Sequence, residues 1–347
     1  MGTEKEPERI MSRRIDLRKV GKSLKLKCAL FGTILFPVLF FNQSAAYGFT
    51  VYYLYKLANF SGGIPFGYGA QLSLDKTTGD VYVIDSSHGG VSIFNDRGME
   101  TYQFGEAANL GDIASLAVDK DGNIFTLSYQ GGVSSYFIGF CDYRGVLKQK
   151  IKVTGLPAEF AIFRPNKILL VDGRLYLVDM EHMFVAQVDK EKGVCLKTWD
   201  LNHIMGWDKP NSKGLPYGPG SESAFGFTID GEGNMYFTIP TAFRAFRVTP
   251  DGHVGVFGTG GDGPGKFGVI SGIAVDSRGY IYVSDKLRCV VLIFDKNLEF
   301  VREFGYRGYG MGGLIVPTDI VIGKDGMLYV AQGGDRGVDV FKMGYDD

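Results

Sequence analysis

A short pattern of apolar and polar residues recurs six times along the chain. Each copy has an apolar run, a turn that contains glycine, and a second apolar run that includes an aromatic residue in most copies. This pattern predicts strand–turn–strand hairpins, because side chains along a strand alternate between its two faces. The turns are separated by 43 to 60 residues, which is typical of a β-propeller with one repeat per blade. The turn glycines are Gly79, Gly122, Gly173, Gly233, Gly279 and Gly326.

Each copy continues into a third alternating strand, such as VSIFND near residue 91 or VLIFDK near residue 291. In most copies a turn and a fourth strand follow, as in DGHVGVF at 251–257. Each unit is therefore predicted to be a four-stranded antiparallel meander. Its aromatic faces can be buried only against neighbouring units. The sequence thus predicts an all-β fold, a six-bladed β-propeller of four-stranded antiparallel blades.

The last unit ends after its third strand, at residues 341–343, and lacks a fourth. An unpaired outer strand edge favours aggregation, so propellers need some way to cover it. The strand-like segment 50–60 precedes the first unit and has no partner of its own. We therefore expect this N-terminal strand to close the ring as the fourth strand of the last blade.

The fifth and sixth units carry the most specific motifs. The fifth reads FGTGGDGPGKF at 257–267, then GIAVD at 272–276 and YVSD at 282–285, and the sixth includes VPTDIV at 316–321. In these residues the chain resembles the NHL-repeat family of six-bladed β-propellers, and the resemblance implies that fold. One departure is that the arginine typical of the family's third strand is replaced by Gly90, Phe184 and Val290 in three units.

The N-terminal region reads as a secretory signal peptide. A basic stretch, 13–27, leads into an apolar run, 28–41, and small residues follow at Ser44 and Ala46. The apolar run is shorter than the about 20 residues that span a bilayer. We predict a signal peptide over 1–46, a propeller over 47–347, and export to the periplasm or beyond the cell. The alternative is an uncleaved segment that anchors the protein to a membrane.

Charge and cysteine content exclude several function classes. The chain carries 37 basic and 38 acidic residues, and the basic excess lies within 1–46, so the remainder is acidic and should repel nucleic acid. Three cysteines remain beyond the predicted signal peptide, without zinc-ligand spacing, and we expect them to be buried and unpaired. No phosphate-binding loop or nucleophile elbow is present. The sequence therefore predicts no cofactor and does not indicate an enzyme.

Two aspartates that end second strands are each followed three residues later by histidine. Asp85 precedes His88 and Asp179 precedes His182, whereas the fifth unit has Arg288 at the histidine position. Together these carboxylates and imidazoles could ligate a divalent metal, Ca²⁺ or Zn²⁺. Some related six-bladed propellers, the peptidyl-hydroxyglycine lyases and gluconolactonase-like enzymes, resemble this arrangement in holding a metal in the channel. The alternative interpretation is that the aspartates bind their own turns and the histidines lie in surface loops.

The third and fourth units are separated by an enlarged loop, 200–220, which contains His203, Trp207 and Tyr217. Such an insertion is typical of a lid or of a partner-binding loop. Four polar residues are predicted to face the channel from inner strands and to make it water-filled: Gln71, Ser115, Lys167 and Asp319. Lys167, Asp319 and Arg288 are therefore further candidate binding residues.

We interpret the chain as an exported scaffold that binds a protein partner in the cell envelope or outside the cell. We expect a monomer that binds no nucleic acid and contacts a membrane only through an uncleaved signal segment. The alternative is a metal-dependent lyase or lactonase that uses Asp85, His88, Asp179 and His182 as ligands and Arg288 as an oxyanion partner.

Overall fold

The predicted hairpins are present in the computed structural model of the chain. It describes residues 49–57, 66, 69–85, 90–105, 109–131, 135–207, 223–334 and 336–345. All six turn glycines have φ between +73° and +86°, the left-handed region that a side chain disfavours. The repeated glycine therefore marks the tight turn between the first two strands of every blade. The predicted signal peptide, 1–46, lies outside the described residues.

The strands form six blades in chain order, and one further strand precedes the first blade. That strand is β1 (Phe49–Leu57). Blade 1 contains β2 (Gln71–Leu74), β3 (Val81–Asp85), β4 (Gly90–Phe94) and β5 (Glu100–Phe104). Blade 2 contains β6 (Asp112–Val118), β7 (Ile124–Tyr129), β8 (Tyr136–Cys141) and β9 (Leu147–Ile151). Blade 3 contains β10 (Lys167–Val171), β11 (Arg174–Asp179), β12 (Phe184–Val188) and β13 (Cys195–Asp200).

The second half of the ring adds a short helix and two small ladders. Helix α1 (Leu201–Ile204) leads to blade 4, which contains β14 (Phe227–Ile229), β15 (Met235–Ile239), β16 (Arg244–Val248) and β17 (Val254–Phe257). A parallel ladder, β18 (Thr259–Gly260) and β19 (Lys266–Phe267), precedes blade 5: β20 (Ile270–Val275), β21 (Ile281–Asp285), β22 (Val290–Phe294) and β23 (Phe300–Phe304). A second ladder, β24 (Tyr306–Arg307) and β25 (Gly313–Leu314), precedes β26 (Pro317–Ile322), β27 (Met327–Gln332) and β28 (Val338–Tyr345). Two 3₁₀ turns lie at Ala158–Phe160 and Pro240–Ala242.

The N-terminal strand closes the ring as predicted. The sixth sheet has the order β26-β27-β28-β1, with Phe49 paired to Tyr345 and Leu57 to Val338. Every other blade is a four-stranded antiparallel sheet in chain order. The sixth blade therefore joins the two ends of the propeller, and its outer strand comes from the opposite end of the sequence.

The core lies between blades. Among the described residues, six apolar clusters are present, and each combines side chains from two adjacent blades. In one of them Tyr282 and Val291 of blade 5 pack with Leu328 and Phe341 of blade 6. Because every blade face is buried this way, the ring of blades is stabilised as a unit.

The blades have two distinct ends. On the loop face lie the inter-blade loops, which precede the first strands, and the connections from second to third strands. On the turn face lie the turns from first to second and from third to fourth strands. No helix among the described residues is long and apolar enough to cross a membrane. Cys141 and Cys289 are buried and free as expected, but the free Cys195 is partly exposed on the outer strand β13.

Candidate functional site

Asp179, at the end of β11, is a fully buried hydrogen-bond acceptor on the loop face. Its Oδ2 accepts from the backbone N–H of Arg164, at 2.7 Å, in the preceding inter-blade loop. Its Oδ1 accepts from the backbone N–H groups of Glu181 and His182, at 3.1 and 2.9 Å, in the following turn. The side chain thus joins these two loops.

Asp285 has the same role at the end of β21. Its carboxylate accepts from Gly268 and Val269 in the inter-blade loop, at 2.6 and 3.1 Å. It also accepts from Leu287 and Arg288 in the next turn, at 3.0 and 2.9 Å. These bonds agree with the alternative interpretation, in which the aspartates bind their own turns. The structure adds the bonds to the inter-blade loops, which the sequence did not indicate.

The predicted metal ligands are only partly described. His88 lies outside the described residues, and Asp85 is buried at the end of β3. Among the described residues, no group of three His, Cys, Asp or Glu side chains could hold a metal ion. His182 Nδ1 lies 2.8 Å from Asp179 Oδ2, so both oxygens of Asp179 already have partners within the protein. In the described part, Asp179 is placed to orient His182 rather than to bind a metal itself.

Arg288 is placed differently from an oxyanion-binding residue. Its guanidinium forms a two-pronged ion pair with Glu303, with N–O distances of 2.8 and 2.5 Å, and donates to the carbonyl of Lys266 at 2.7 Å. Glu303 also accepts from the backbone N–H of Gly265. The hydrogen bond with Glu303 raises the pKa of Arg288. These contacts fix the inter-blade loop 258–269 to blade 5.

The enlarged loop begins as an anchored segment. Asp200 caps helix α1 by accepting from the backbone N–H of His203, whose side chain is exposed. The Trp207 ring packs edge-on against Phe246 of blade 4, with centroids 5.5 Å apart. Trp207 is therefore part of the packing between blades 3 and 4, whereas Tyr217 lies outside the described residues.

Lys167 and Asp319 meet inside the channel. They start from the inner strands of blades 3 and 6, which lie opposite each other in a ring of six, and Lys167 Nζ is 3.9 Å from Asp319 Oδ1. Asp319 also accepts from the backbone N–H groups of Leu72 and Ile320, both at 2.9 Å. The structure thus brings together, near the loop face, two residues that were predicted to face the channel.

Many of the other side chains that line the channel are aliphatic. A cavity of about 520 Å³ runs along the six inner strands toward the turn face. Ser115 and Lys167 line its inner end, but its walls are mainly aliphatic. The repeat pattern does not distinguish such a channel-lining side chain from one that is buried between blades.

A cluster of exposed apolar side chains on the loop face was missed in the sequence. We call it the loop-face arc; it comprises Phe225, Val269, Leu287, Tyr306, Tyr309 and Met311. Tyr309 and Met311 are 76% and 84% exposed. The signal that could have revealed it is the aromatic and methionine content of the glycine-rich segment 305–313.

Basic side chains connect the members of the arc. Lys286 Nζ lies 3.3 Å from the centroid of the Phe225 ring, and its backbone N–H donates to Val269. Arg307 donates to the carbonyl of Leu287 at 2.5 Å. The Arg336 guanidinium lies 4.8 Å from the centre of the Tyr309 ring. Burial lowers the pKa of Lys286 to about 8.

Comparison with known proteins gives a fold but no family. No protein-family model matches the sequence, and no curated protein matches it. A streptogramin B lyase structure is 15% identical, with 86% of this chain and 98% of that chain covered and a TM-score of 0.53. A gluconolactonase from Xanthomonas campestris is 14% identical, with 84% and 89% covered and a TM-score of 0.53. A protein of unknown function from Bacteroides thetaiotaomicron is 12% identical, with 86% and 77% covered and a TM-score of 0.60. At these identities the similarity shows the propeller fold alone.

Proposed function

We propose that this chain is an exported NHL-type propeller that serves as a protein-interaction scaffold in the cell envelope or outside the cell. The observation that carries the proposal is the loop-face arc. Soluble proteins rarely expose contiguous large apolar side chains without a binding role. Tyrosine, methionine and arginine are also the residue types enriched at the centre of protein interfaces.

The charges around the arc specify the partner's chemistry. Lys286 and Arg336 lie over the rings of Phe225 and Tyr309, and Arg307 donates to the backbone carbonyl of Leu287. A partner that matches this surface would present aromatic or aliphatic side chains next to carboxylates. The proposed partner is therefore an acidic protein segment with apolar anchors.

Site-specific photocrosslinking in the native host tests this proposal. A photoreactive phenylalanine analogue replaces Tyr309 in the arc or, as the matched control, Tyr143 on the turn face. Tyr143 is 65% exposed, so both positions are accessible to solvent. We expect one discrete crosslinked protein from position 309 and none from position 143.

The affinity of the purified partner then gives the quantitative test. Tyr309→Ala should weaken binding by about tenfold or more, which is the size of effect expected at an interface centre. Tyr143→Ala should leave the affinity unchanged. A partner that binds both variants as tightly as the parent chain, or no crosslink at position 309, would contradict the proposal.

Export is a separate part of the proposal, supported by the basic and apolar pattern of residues 1–46. The test is the intact mass of the protein recovered from the exported fraction. A mass that begins at Tyr47 supports a cleaved signal peptide. A full-length mass in the membrane fraction supports the anchored alternative, and recovery from the cytoplasm would contradict export.

A metal-dependent lyase or lactonase is the second candidate. One contact favours it: Asp179 Oδ2 binds His182 Nδ1, the arrangement by which a carboxylate orients a metal-ligating histidine through its other ring nitrogen. This hypothesis requires stoichiometric metal in protein purified without chelators, and loss of that metal in His88→Ala and His182→Ala. Metal-free protein at neutral pH would count against it.

A further inference from the structure

The channel cavity has one end at the turn face and the other at Lys167. The described residues that line it at the turn face belong to three turns between first and second strands and to Lys190. At the inner end it is lined by Ser115 and Lys167, beside Asp319. Four residue steps along β10 separate Lys167 from Val171, which corresponds to about 13 Å. The volume of about 520 Å³ lies in the range of small-molecule sites.

The walls between these ends are aliphatic. Besides Ser73 of β2 and Lys167, Leu169 and Val171 of β10, each inner strand contributes one further partly exposed side chain to the lining: Leu74, Val118, Leu170, Thr228, Val275 and Val321. Five of these six side chains lack a hydrogen-bonding group, so the middle of the channel favours the hydrocarbon part of a ligand over water. Because the lining extends along all six inner strands, the cavity favours an elongated ligand.

Lys167 supplies a cation at the inner end. Its ammonium is 3.9 Å from the Asp319 carboxylate, which is longer than a hydrogen bond, so this ion pair does not use a Lys167 N–H donor. Asp319 itself accepts two backbone N–H groups. The Lys167 side chain is only 13% exposed, and an anion that reached it would interact in a poorly hydrated environment.

The turn-face end is less suited to bind the anionic group. Lys76, Lys120 and Lys190 lie there, and Lys190 is 3.8 Å from Asp119. Asp75, Asp119 and Asp172 belong to the same turns, so these three positive charges are balanced, as the charge of Lys167 is by Asp319. Lys76 and Lys120 are exposed to solvent, which weakens any ion pair with a ligand.

We propose that the channel binds an elongated aliphatic carboxylate, with its carboxylate at Lys167 and its hydrocarbon chain along the inner strands toward the turn face. This site is separate from the loop-face arc and does not depend on the scaffold function. It would make the propeller a carrier or sensor of an aliphatic acid.

Calorimetric titration of the full chain, purified without detergent, tests the proposal with decanoate and decan-1-ol as probes. We expect one decanoate per chain, and weaker binding of the alcohol, which has the same hydrocarbon chain without the charge. Lys167→Met should weaken decanoate binding by about tenfold or more while leaving the alcohol affinity unchanged. Lys120→Met at the turn face, the matched control, should leave both affinities unchanged.

A second variant does not alter any charge. Thr228→Phe fills the middle of the channel and should abolish binding of both probes, while circular dichroism and the unfolding temperature report whether each variant folds. Three results would overturn the proposal: no decanoate binding to the parent chain, equal loss of decanoate and alcohol affinity in Lys167→Met, or unchanged binding in a folded Thr228→Phe variant.

Discussion

At the scale of single residues, the aspartates at the ends of the second strands are compatible with two different roles. An aspartate there can bind a metal or the backbone, and both uses need the same residue type. In the described structure, backbone N–H groups donate hydrogen bonds to the carboxylates of Asp179 and Asp285. The repeat pattern located these residues, but their hydrogen-bond partners lie in loops that the pattern does not describe.

The buried carboxylate of Asp285 should be a major source of stability. Asp285→Ala removes the acceptor of four backbone N–H groups, one of them in a buried and three in partly buried hydrogen bonds. We expect the free energy of unfolding to fall by about 3 kcal/mol or more. Urea unfolding measures this, with the exposed Asp262 of the same inter-blade loop as control, since Asp262→Ala should change little. Equal effects from the two substitutions would refute this role.

The closing strand carries an ion pair that should make stability depend on pH. Asp339 is buried, lies 3.3 Å from Lys56 Nζ, and has its pKa raised by burial. A raised folded-state pKa means that the protonated form stabilises the fold below the unfolded-state pKa, and that this contribution is lost as pH rises through the folded-state pKa. The side chain in Asp339→Asn stays neutral. The free energy of unfolding of this variant, relative to that of the parent chain, should therefore be higher at pH 7 than at pH 4.

Urea unfolding of both proteins at the two pH values measures that difference. The matched control is Asp325→Asn, because Asp325 also contacts a lysine, Lys342 at 3.7 Å, but is largely exposed. The difference in free energy of unfolding between Asp325→Asn and the parent chain should change much less with pH. An Asp339→Asn variant whose relative stability is the same at pH 4 and pH 7 would contradict the assignment.

At the scale of elements, the turn between β14 and β15 offers a direct test of the glycine pattern. Gly233 has φ of +84°, whereas Gly231, in the same turn, has ordinary backbone angles and open space around it. Gly233→Ala should lower the free energy of unfolding by about 1–2 kcal/mol, because a Cβ disfavours the left-handed region. Gly231→Ala should be neutral or slightly stabilising. Thermal unfolding compares the two variants. If Gly231→Ala were more destabilising than Gly233→Ala, the left-handed backbone of Gly233 would not be what requires glycine in this turn.

The loops of the loop face are the elements that sequence reasoning described least well. Arg288 pairs with Glu303, and Trp207 packs on Phe246, although both were expected to serve binding. Each residue type suits either purpose, since arginine pairs with carboxylates inside proteins as readily as with ligands. Only the position of the partner side chain decides between them.

At the scale of the whole molecule, ring closure by β1 should determine whether the propeller folds cooperatively. A chain that begins at residue 58 lacks β1 and leaves the edge of β28 unpaired, next to the buried Phe341 and Met343. We expect this chain to unfold at a markedly lower temperature and to aggregate. A chain that begins at residue 47 keeps β1 and is the control.

Size-exclusion chromatography and thermal unfolding compare the two chains. The chain from residue 47 should elute as a monomer with a single unfolding transition. If the chain from residue 58 were equally stable and monomeric, the closing strand would be dispensable, and the sixth blade would have to be stable with three strands.

The sequence by itself determined the number of blades, the strands within each blade, the turn glycines and the closing strand. These features follow from local periodicity and from the requirement that every strand edge and apolar face be covered. Only the tertiary structure decided which polar groups meet, as in the Lys167–Asp319 pair and the Arg288–Glu303 pair. It also revealed the aliphatic channel and the loop-face arc. The physical reason is that such contacts join residues from different blades, or from a loop and a strand of one blade. Their separation in space is set by the closure of the ring and by the course of the loops rather than by spacing along the chain.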